Sequence, residues 1–277
     1  MRSVSSRQNA LVRNFRDAAR DAAAGRVLLD GAHVIRAALD AERELAVVAV
    51  SHRALSDDHE AATLAHDLDR AGVDVVAVSD VVLAAISPVR TPSGIAALAL
   101  LRTVAVEEVL AEKRALVLAA VDVQDPGNLG ALVRAAEAGG ATGIVVCGSS
   151  AHPLAWKALR GSMGSSLRLP IAVATSPDDV LTRADLQGLH LVATVVRRGA
   201  DPALIDLSRP VLLVVGGEGA GLSDQVVAAC HERVSIPMKA PVESLNVAVA
   251  AGLLVYEARR QRMIPIPPGD PAPEMSQ

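Results

Sequence analysis

The sequence predicts an α/β protein made of two units, each with a β-sheet between helices. Short apolar segments of strand length alternate with amphipathic segments of helix length along both halves of the chain. Hydrophobic residues make up 51% of the 277 residues, but only 1% are aromatic, so the cores must be built from Ala, Val and Leu. Residues 115–123 form a nearly continuous apolar run, which is typical of a strand buried in a parallel sheet.

The first unit is predicted to begin with a helix over residues 6–24, with Leu11, Val12 and Phe15 on one face. The segments that follow predict strands at 27–29, 45–50, 73–78 and 94–101, and helices at 31–39, 60–71 and 80–86. This pattern indicates a three-layer α/β domain over residues 1–104. Residues 105–114 are rich in charge and predict a polar linker helix that contains the domain boundary.

The second unit is predicted to cover residues 115–264 around a mostly parallel sheet. Its predicted strands are 115–123, 143–147, 169–174, 190–196, 211–215 and 233–236. Its predicted helices are 129–138, 153–161, 177–184, 224–230 and 245–263, with caps at Gly139-Gly140 and Ser223. The Pro-rich tail at 265–277 is expected to be disordered.

Composition and charge restrict the functional classes. The net charge is −4, yet residues 1–26 carry six arginines against two aspartates, which fits either a polyanion contact or a frayed, solvated helix. Cys147 and Cys230 form no CxxC pair, as expected in a reducing cytoplasm. No apolar run reaches membrane-span length, and no histidine pattern has metal-ligand spacing, so we expect neither a membrane nor a metal partner.

The first chemical motif is Asp125-Pro126-Gly127-Asn128 with Arg134. Asn128 sits where a helix N-cap is expected, and capping alone would explain it. Arg134 points away from the apolar face of the predicted helix. Two interpretations follow: a solvated side chain that pairs with Glu137, or a guanidinium that holds a phosphate at the open mouth of the sheet.

The second motif, Gly216 to Gly221, follows a predicted strand and contains one carboxylate, Glu218. Ligands bind at the carboxyl ends of strands in open α/β sheets, and glycines allow close approach of the backbone. The spacing is not GxGxxG, which argues against a dinucleotide site. Glu218 therefore either faces a ligand or favours the N-terminus of the following helix.

The third motif is Ser244-Leu245-Asn246. Ser244 is the expected N-cap of the last helix, and Asn246 is the polar exception in a segment that is otherwise apolar. A helix that is apolar nearly all round must be buried, either in the core or in a subunit interface. Residues 160–168 form a polar, glycine-broken loop, either a phosphate contact or a plain turn.

Together, these three motifs closely resemble the SpoU/TrmH family of SPOUT RNA ribose 2′-O-methyltransferases. The resemblance covers residues 115–262 and includes Ile236-Pro237-Met238. More loosely, the front end resembles that family's accessory RNA-binding domain, through Ser6-Arg7-Gln8-Asn9, Leu28-Leu29-Asp30-Gly31 and Thr91-Pro92-Ser93-Gly94-Ile95.

The resemblance implies a trefoil knot in the second domain and a homodimer with composite active sites. It implies that S-adenosylmethionine binds in the knot, held by residues matching Thr194, Gly216, Gly217, Ile236, Met238 and Leu245. It assigns functional positions to Asn128, Arg134, Glu218, Ser244 and Asn246, and contacts with substrate RNA to Arg7, Arg134 and Arg160.

The resulting expectation is a cytoplasmic enzyme that methylates a ribose 2′-hydroxyl in structured RNA, foremost ribosomal RNA, and that acts on RNA rather than DNA. An arginine keeps its proton at neutral pH, so we expect Arg134 to clamp a phosphate and stabilise developing negative charge rather than act as a simple base. The alternative is a non-catalytic RNA-binding or ribosome-assembly factor on the same fold.

Overall fold

Two β-sheets with helices on both faces make up residues 1–262, which are the residues that the computed structural model describes. The predicted α/β class is therefore confirmed. The expected disordered tail at 265–277 lies outside the described residues. Among residues 1–262, no helix combines the length and the apolar character needed to cross a membrane.

The first sheet is mixed. Its strands are β1 (Arg2–Val4), β2 (Arg26–Asp30), β3 (Leu45–Ser51), β4 (Val75–Val78) and β5 (Ile95–Leu100), in the order β1-β4-β3-β5-β2. β1, β4 and β3 run parallel to one another, whereas β5 is antiparallel to both β3 and β2. β1 was not predicted, because it has three residues of which only Val4 is buried and so shows no alternation.

Five helices cover this sheet: α1 (Ala10–Arg20), α2 (Ala32–Asp40), α3 (His52–Asp57), α4 (His59–Arg70) and α5 (Asp80–Ile86). α1 and α5 pack on one face, and α2, α3 and α4 pack on the other, which confirms the three-layer prediction. α1 is shorter than predicted because the Asn9 side chain caps it by accepting from the Leu11 amide. α3 was missed; Ser51 caps it by accepting from the Ala54 amide.

The second sheet is entirely parallel and has six strands. They are β6 (Leu116–Val121), β7 (Gly143–Cys147), β8 (Ile171–Ala174), β9 (His190–Thr194), β10 (Val211–Gly216) and β11 (Glu232–Val234), in the order β11-β9-β10-β6-β7-β8. The chain leaves β6 in one direction and later returns to the other side of it at β10. The strand order therefore reverses at β6 and β10, and open sheets of this kind bind ligands at the carboxyl edge near such a reversal. The trefoil knot stays a prediction.

The helices of the second unit are α6 (Val106–Leu110), α7 (Pro126–Gly139), α8 (Trp156–Ser162), α9 (Pro177–Leu186), α10 (Asp224–Ala229) and α11 (Val247–Gln261). α7 and α11 pack on one face of the sheet, and α6, α9 and α10 pack on the other. Val109 and Leu110 of α6 are buried in that second core. Residues 105–114, predicted to be a polar linker, therefore contain a helix that packs on the second sheet.

Helix α8 joins the two units. Leu154, Leu159 and Leu167 lie in the core of the first unit, although they belong to the second half of the chain. α8 also lies so close to α7 that a Cβ at Gly130 would overlap the backbone of α8. The prediction of a polar loop at 160–168 holds only in part, because residues 160–162 belong to α8 and residues 163–168 form turns. Ser162, Ser165 and Ser166 are buried in the end of α8 and a short 3-10 turn.

The end of α11 is fixed by a buried cation. Arg262 is 8% exposed and donates hydrogen bonds to the carbonyl oxygens of Leu207, Arg114, Ala115 and Arg209, at 2.6 to 2.9 Å. Burial lowers the pKa of Arg262 from its ordinary value. This side chain therefore ties the last helix to the start of β6 and to the segment that precedes β10.

We expect Arg262→Met to lower the free energy of unfolding by about 2–4 kcal/mol, because four buried or partly buried carbonyl groups lose their donor. Denaturant unfolding monitored by circular dichroism measures this loss. Arg260→Met is the matched control, because the Arg260 side chain is 66% exposed and pairs only with Glu257. Equal stability of the two variants would contradict the role given to Arg262.

Candidate active site

A cavity of about 430 Å³ opens at the carboxyl edge of the second sheet. It lies between the ends of β9 and β10, residues 234–238 and the start of α11. All six residues predicted to bind the cofactor line it: Thr194, Gly216, Gly217, Ile236, Met238 and Leu245. The sequence did not single out the rest of its apolar wall, which includes Val196, Ala250 and Leu254, because aliphatic residues of this kind fill both cores as well.

Residues 216–221 form one wall of this cavity. The Gly217 amide donates to the carbonyl oxygen of Val121 at 2.8 Å, which fastens the wall to β6. A Cβ on Gly217 would overlap the carbonyl group of Asp122, and a Cβ on Gly216 would overlap the backbone of Gly221. These two glycines are therefore required by the close approach of the wall backbone to itself at Gly216 and to Asp122 at Gly217.

Three polar side chains from distant parts of the chain meet beside this wall. The Asn128 Nδ2 donates to Glu218 Oε1 at 2.5 Å. The Asn246 Nδ2 donates to Asn128 Oδ1 at 2.9 Å and approaches Glu218 Oε1 at 3.3 Å. We call Asn128, Glu218 and Asn246 the polar triad. Asn128 is half-buried, and the other two are exposed at the cavity, so the triad is accessible to a ligand.

The capping arrangements of α7 and α11 leave the side-chain amides of Asn128 and Asn246 able to bond to other side chains. Asp125, not Asn128, caps α7 by accepting from the Asn128 amide at 2.7 Å, so the Asn128 side chain is free to reach Glu218. Asn246, not Ser244, caps α11, with its Oδ1 accepting from the Ala248 amide. Both cap predictions were wrong. An asparagine can cap with its oxygen while the nitrogen of the same side chain donates elsewhere. Ser244 is exposed and lines the cavity.

The predicted arginines lie away from the cavity within one chain. Arg134 is exposed on α7 and is not among the residues that line the cavity. The alternative pair with Glu137 does not form, because Glu137 instead binds Arg168 through two hydrogen bonds at 2.7 and 2.8 Å. Arg160 is exposed near the end of α8, and Arg7 is exposed ahead of α1. The structure therefore brings the triad to the cavity but not these three guanidinium groups.

Few charged groups contribute to the cavity. Glu218 is the only ionisable side chain among the residues that line it, and the rest of the lining is apolar side chains, glycine backbone and the polar groups of Thr194, Ser244 and Asn246. Such a lining favours a ligand that carries flat or apolar surface, hydrogen-bonding edges and a positive charge. It disfavours a phosphate-bearing ligand.

We expect Asn128→Asp to destabilise the fold by about 1–2 kcal/mol at pH 8, because it replaces the donor to Glu218 with a second carboxylate. The loss should shrink as the pH falls towards 4, because one proton shared by the two carboxyl groups restores a donor. Urea unfolding at several pH values measures this. Asn9→Asp is the control, because Asn9 only accepts at its cap. A loss independent of pH would contradict the pairing.

Comparison with known proteins agrees with this geometry. Residues 115–256 match the SpoU rRNA Methylase family, and residues 13–97 match the MRM3-like substrate binding domain. A Synechocystis sp. protein described as an uncharacterized tRNA/rRNA methyltransferase is 35% identical over 275 residues, which cover 96% of this chain and 97% of that protein.

Two solved structures share the fold over nearly the whole chain. An RNA 2′-O ribose methyltransferase superposes with a TM-score of 0.80 at 33% identity, covering 95% of this chain and 100% of that one. An AdoMet-bound rRNA methyltransferase from Sinorhizobium meliloti superposes with a TM-score of 0.81 at 27% identity, covering 95% and 99%. These findings confirm the resemblance inferred from the three motifs, and the chain belongs to the SpoU family of RNA methyltransferases.

Proposed function

We propose that the chain uses S-adenosylmethionine to methylate a ribose 2′-hydroxyl in ribosomal RNA. The observation that carries the proposal is the placement of the polar triad at the rim of a cavity whose only ionisable lining residue is Glu218. The family to which the chain belongs and the AdoMet-bound relative support the choice of cofactor and of RNA as the acceptor.

The residues of the cavity fit S-adenosylmethionine. The cavity volume of about 430 Å³ lies within the usual range for small-ligand sites. The backbone of Gly216 and Gly217 and the residues Ile236, Met238 and Leu245 would hold the adenosine part, and Thr194 would close the floor. The Thr194 hydroxyl donates to the Val214 carbonyl oxygen at 2.9 Å, which fixes that side chain. When bound, the cofactor supplies a methyl group on a positively charged sulfur, and the Glu218 carboxylate would attract that charge.

The triad would position the acceptor ribose. Asn128 is held by Glu218 and Asn246, so its amide orientation is fixed before RNA binds. Ser244 would hold the segment that leads into α11. Arg134 would hold a backbone phosphate beside the reacting ribose and stabilise the negative charge that develops on the 2′-oxygen.

A homodimer would bring Arg134 to the site. Val249, Leu253 and Tyr256 form a stripe along α11, and their exposed fractions are 50, 50 and 47%. Three apolar side chains at this spacing on one helix favour a subunit interface. A Cβ at Gly252, next to Leu253 in the chain, would contact Ala135 of α7, so α7 packs on α11 near the stripe, and Arg134 is the neighbour of Ala135. Pairing of two copies there would place the Arg134 of one subunit near the cavity of its partner.

The first unit would hold the RNA at a distance from the reacting ribose. We propose residues 1–104 as the substrate-binding domain and residues 115–264 as the methyltransferase domain, with Arg7 and Arg160 contacting phosphates. Support comes from the match over residues 13–97 and from α8, which carries Arg160 and packs into the first core. We also propose a cytoplasmic location, where free thiols such as Cys147 and Cys230 persist.

Transfer of labelled methyl groups to total RNA tests the proposed function. The purified chain and labelled S-adenosylmethionine should label ribosomal RNA, and alkaline hydrolysis should leave the label in resistant dinucleotides, because a 2′-O-methyl group blocks cleavage of the next linkage. A non-catalytic RNA-binding factor would transfer no label. It would also show no heat of binding when titrated with S-adenosylmethionine at millimolar concentration.

We expect Arg134→Ala to lower the rate of methyl transfer at least about a hundredfold, because stabilisation of the developing charge is lost. The Kd for S-adenosylmethionine, measured by calorimetry, should change by less than about threefold, because Arg134 does not line the cavity. Arg183→Ala on α9 is the control and should keep its activity. Full methyl transfer by the Arg134→Ala variant would refute the role of this residue.

We expect Leu253→Glu to convert the proposed homodimer into monomers, because it buries an unpaired carboxylate in an apolar interface. Sedimentation equilibrium measures the mass directly. Leu186→Glu is the control, because Leu186 is 82% exposed on α9, away from the stripe. A monomeric wild-type chain, or a dimeric Leu253→Glu variant, would argue against this interface.

A further inference from the structure

Helix α7 carries two opposite charges one turn apart. Arg134 and Glu137 are three positions apart in the sequence, a spacing at which side chains meet on a helix surface. Arg134 is exposed, and the Glu137 side chain is 27% exposed. A pair between them would occupy the guanidinium that the proposed function uses, and it would put a carboxylate beside the phosphate to be bound. The proposed role of Arg134 therefore requires that Glu137 be held elsewhere.

Arg168 holds this carboxylate. Its Nε donates to Glu137 Oε1 at 2.7 Å, and its Nη2 donates to Glu137 Oε2 at 2.8 Å. Both carboxylate oxygens are thus occupied by one guanidinium, in the two-bond geometry that gives the strongest arginine–carboxylate pairs. Among residues 1–262, Arg134 forms no ion pair.

The charge on Glu137 makes a partner necessary. Partial burial would by itself raise the pKa of Glu137, but the hydrogen bonds from Arg168 and Ser165 outweigh it and keep the pKa below its ordinary value. A half-buried, ionised carboxylate that loses its partner is costly, so it takes another cation within reach. Arg259 of α11 reaches the same end of α7, but it donates to the Ala138 carbonyl oxygen at 3.0 Å. Without Arg168, Glu137 would turn to the arginine on its own helix.

Contacts with the first unit fix the position of Arg168. This residue ends the short 3-10 turn that follows α8. Arg43, between α2 and β3, donates from its Nε to the Leu167 carbonyl oxygen at 2.8 Å. A Cβ on Gly164 would lie 2.7 Å from the Cβ of Ala37 in α2, so the turn packs directly on that helix. The segment that presents Arg168 to α7 is therefore held by the first unit.

We propose that Arg168 is a positioning residue for methyl transfer: it holds Glu137 and so leaves Arg134 free to bind a phosphate of the RNA. This inference rests on the proposed function and adds to it a residue that acts through another one. It also gives the contact between the two units a part in the reaction, because that contact fixes the segment that carries Arg168.

Arg168→Met tests the proposal, because it removes the charge and keeps an unbranched apolar side chain. We expect kcat/KM for the RNA to fall about three- to tenfold at low ionic strength, since Glu137 then pairs with Arg134 and repels the phosphate. The ratio of wild type to variant should approach one as salt is added, because salt screens exposed charges. The Kd for S-adenosylmethionine should stay within about twofold, because Arg168 does not line the cavity.

A second substitution separates this role from a purely structural one. The double variant Arg168→Met with Glu137→Gln lacks the competing carboxylate, so its kcat/KM should return to within about twofold of the wild type. A purely structural role for the Arg168–Glu137 pair predicts no such recovery, because the pair is absent from both variants. Arg183→Met is the matched control and should keep its activity. The Arg183 side chain is 43% exposed, against 40% for Arg168, and it pairs with Asp179 on α9.

The outcomes distinguish this inference from the proposed function. If the wild type transfers methyl groups, the proposed function stands. An unchanged kcat/KM in Arg168→Met, a double variant as slow as the single one, or an equal loss in Arg183→Met would then overturn the inference alone. Loss of cofactor binding in Arg168→Met would also overturn it, since the pair would then support the fold. A wild-type chain that transfers no methyl group would overturn both.

Discussion

The hydrogen bonds that join Asn128, Glu218 and Asn246 are the constraint on which the site depends. They connect the first turn of α7, the wall after β10 and the cap of α11, which are far apart in the sequence. The two asparagines are free to join because other groups cap the helices. Asp125 caps α7, and the oxygen of Asn246 caps α11 while its nitrogen faces Asn128. The triad therefore forms only when all three segments have reached their final positions.

The scaffold around the triad is arranged to keep it rigid. The wall holds Glu218 because Gly216 and Gly217 allow backbone to pack directly on backbone. α7 packs against both α8 and α11, and Arg262 anchors the C-terminal end of α11 through four carbonyl groups. A small displacement of a hydrogen-bond donor can lower the rate of a reaction strongly, and a rigid scaffold prevents such displacements.

Much of this arrangement could be predicted from the sequence, because the buried parallel strands are long apolar runs and the three motifs are specific. All six residues that the family resemblance assigns to the cofactor line one cavity. The failures have a common cause. Ser244 and Asn128 are both good capping residues, and only tertiary contacts decide which nearby side chain caps. Residues 160–168 look like a loop because their serines are polar, but Ser162, Ser165 and Ser166 are buried in the end of α8 and the 3-10 turn that follows it.

Arg134 is exposed on α7 and does not line the cavity of its own chain, so its proposed role depends on a second copy of the chain. The exposed stripe on α11 and the contact between α7 and α11 place the arginine beside a surface rather than in a cavity. A site divided between subunits would couple methyl transfer to assembly. Such a division would account for the exposure of Arg134 outside the cavity of its own chain.

The proposed donor site is the cavity beside the wall at residues 216–221, next to the polar triad. A crystal structure of the chain with S-adenosylmethionine tests this assignment most directly. The cofactor should occupy the cavity between Thr194, Gly216 and Leu245, with its sulfur directed towards the polar triad. A cofactor bound outside this cavity, or with its sulfur directed away from the triad, would contradict the assignment.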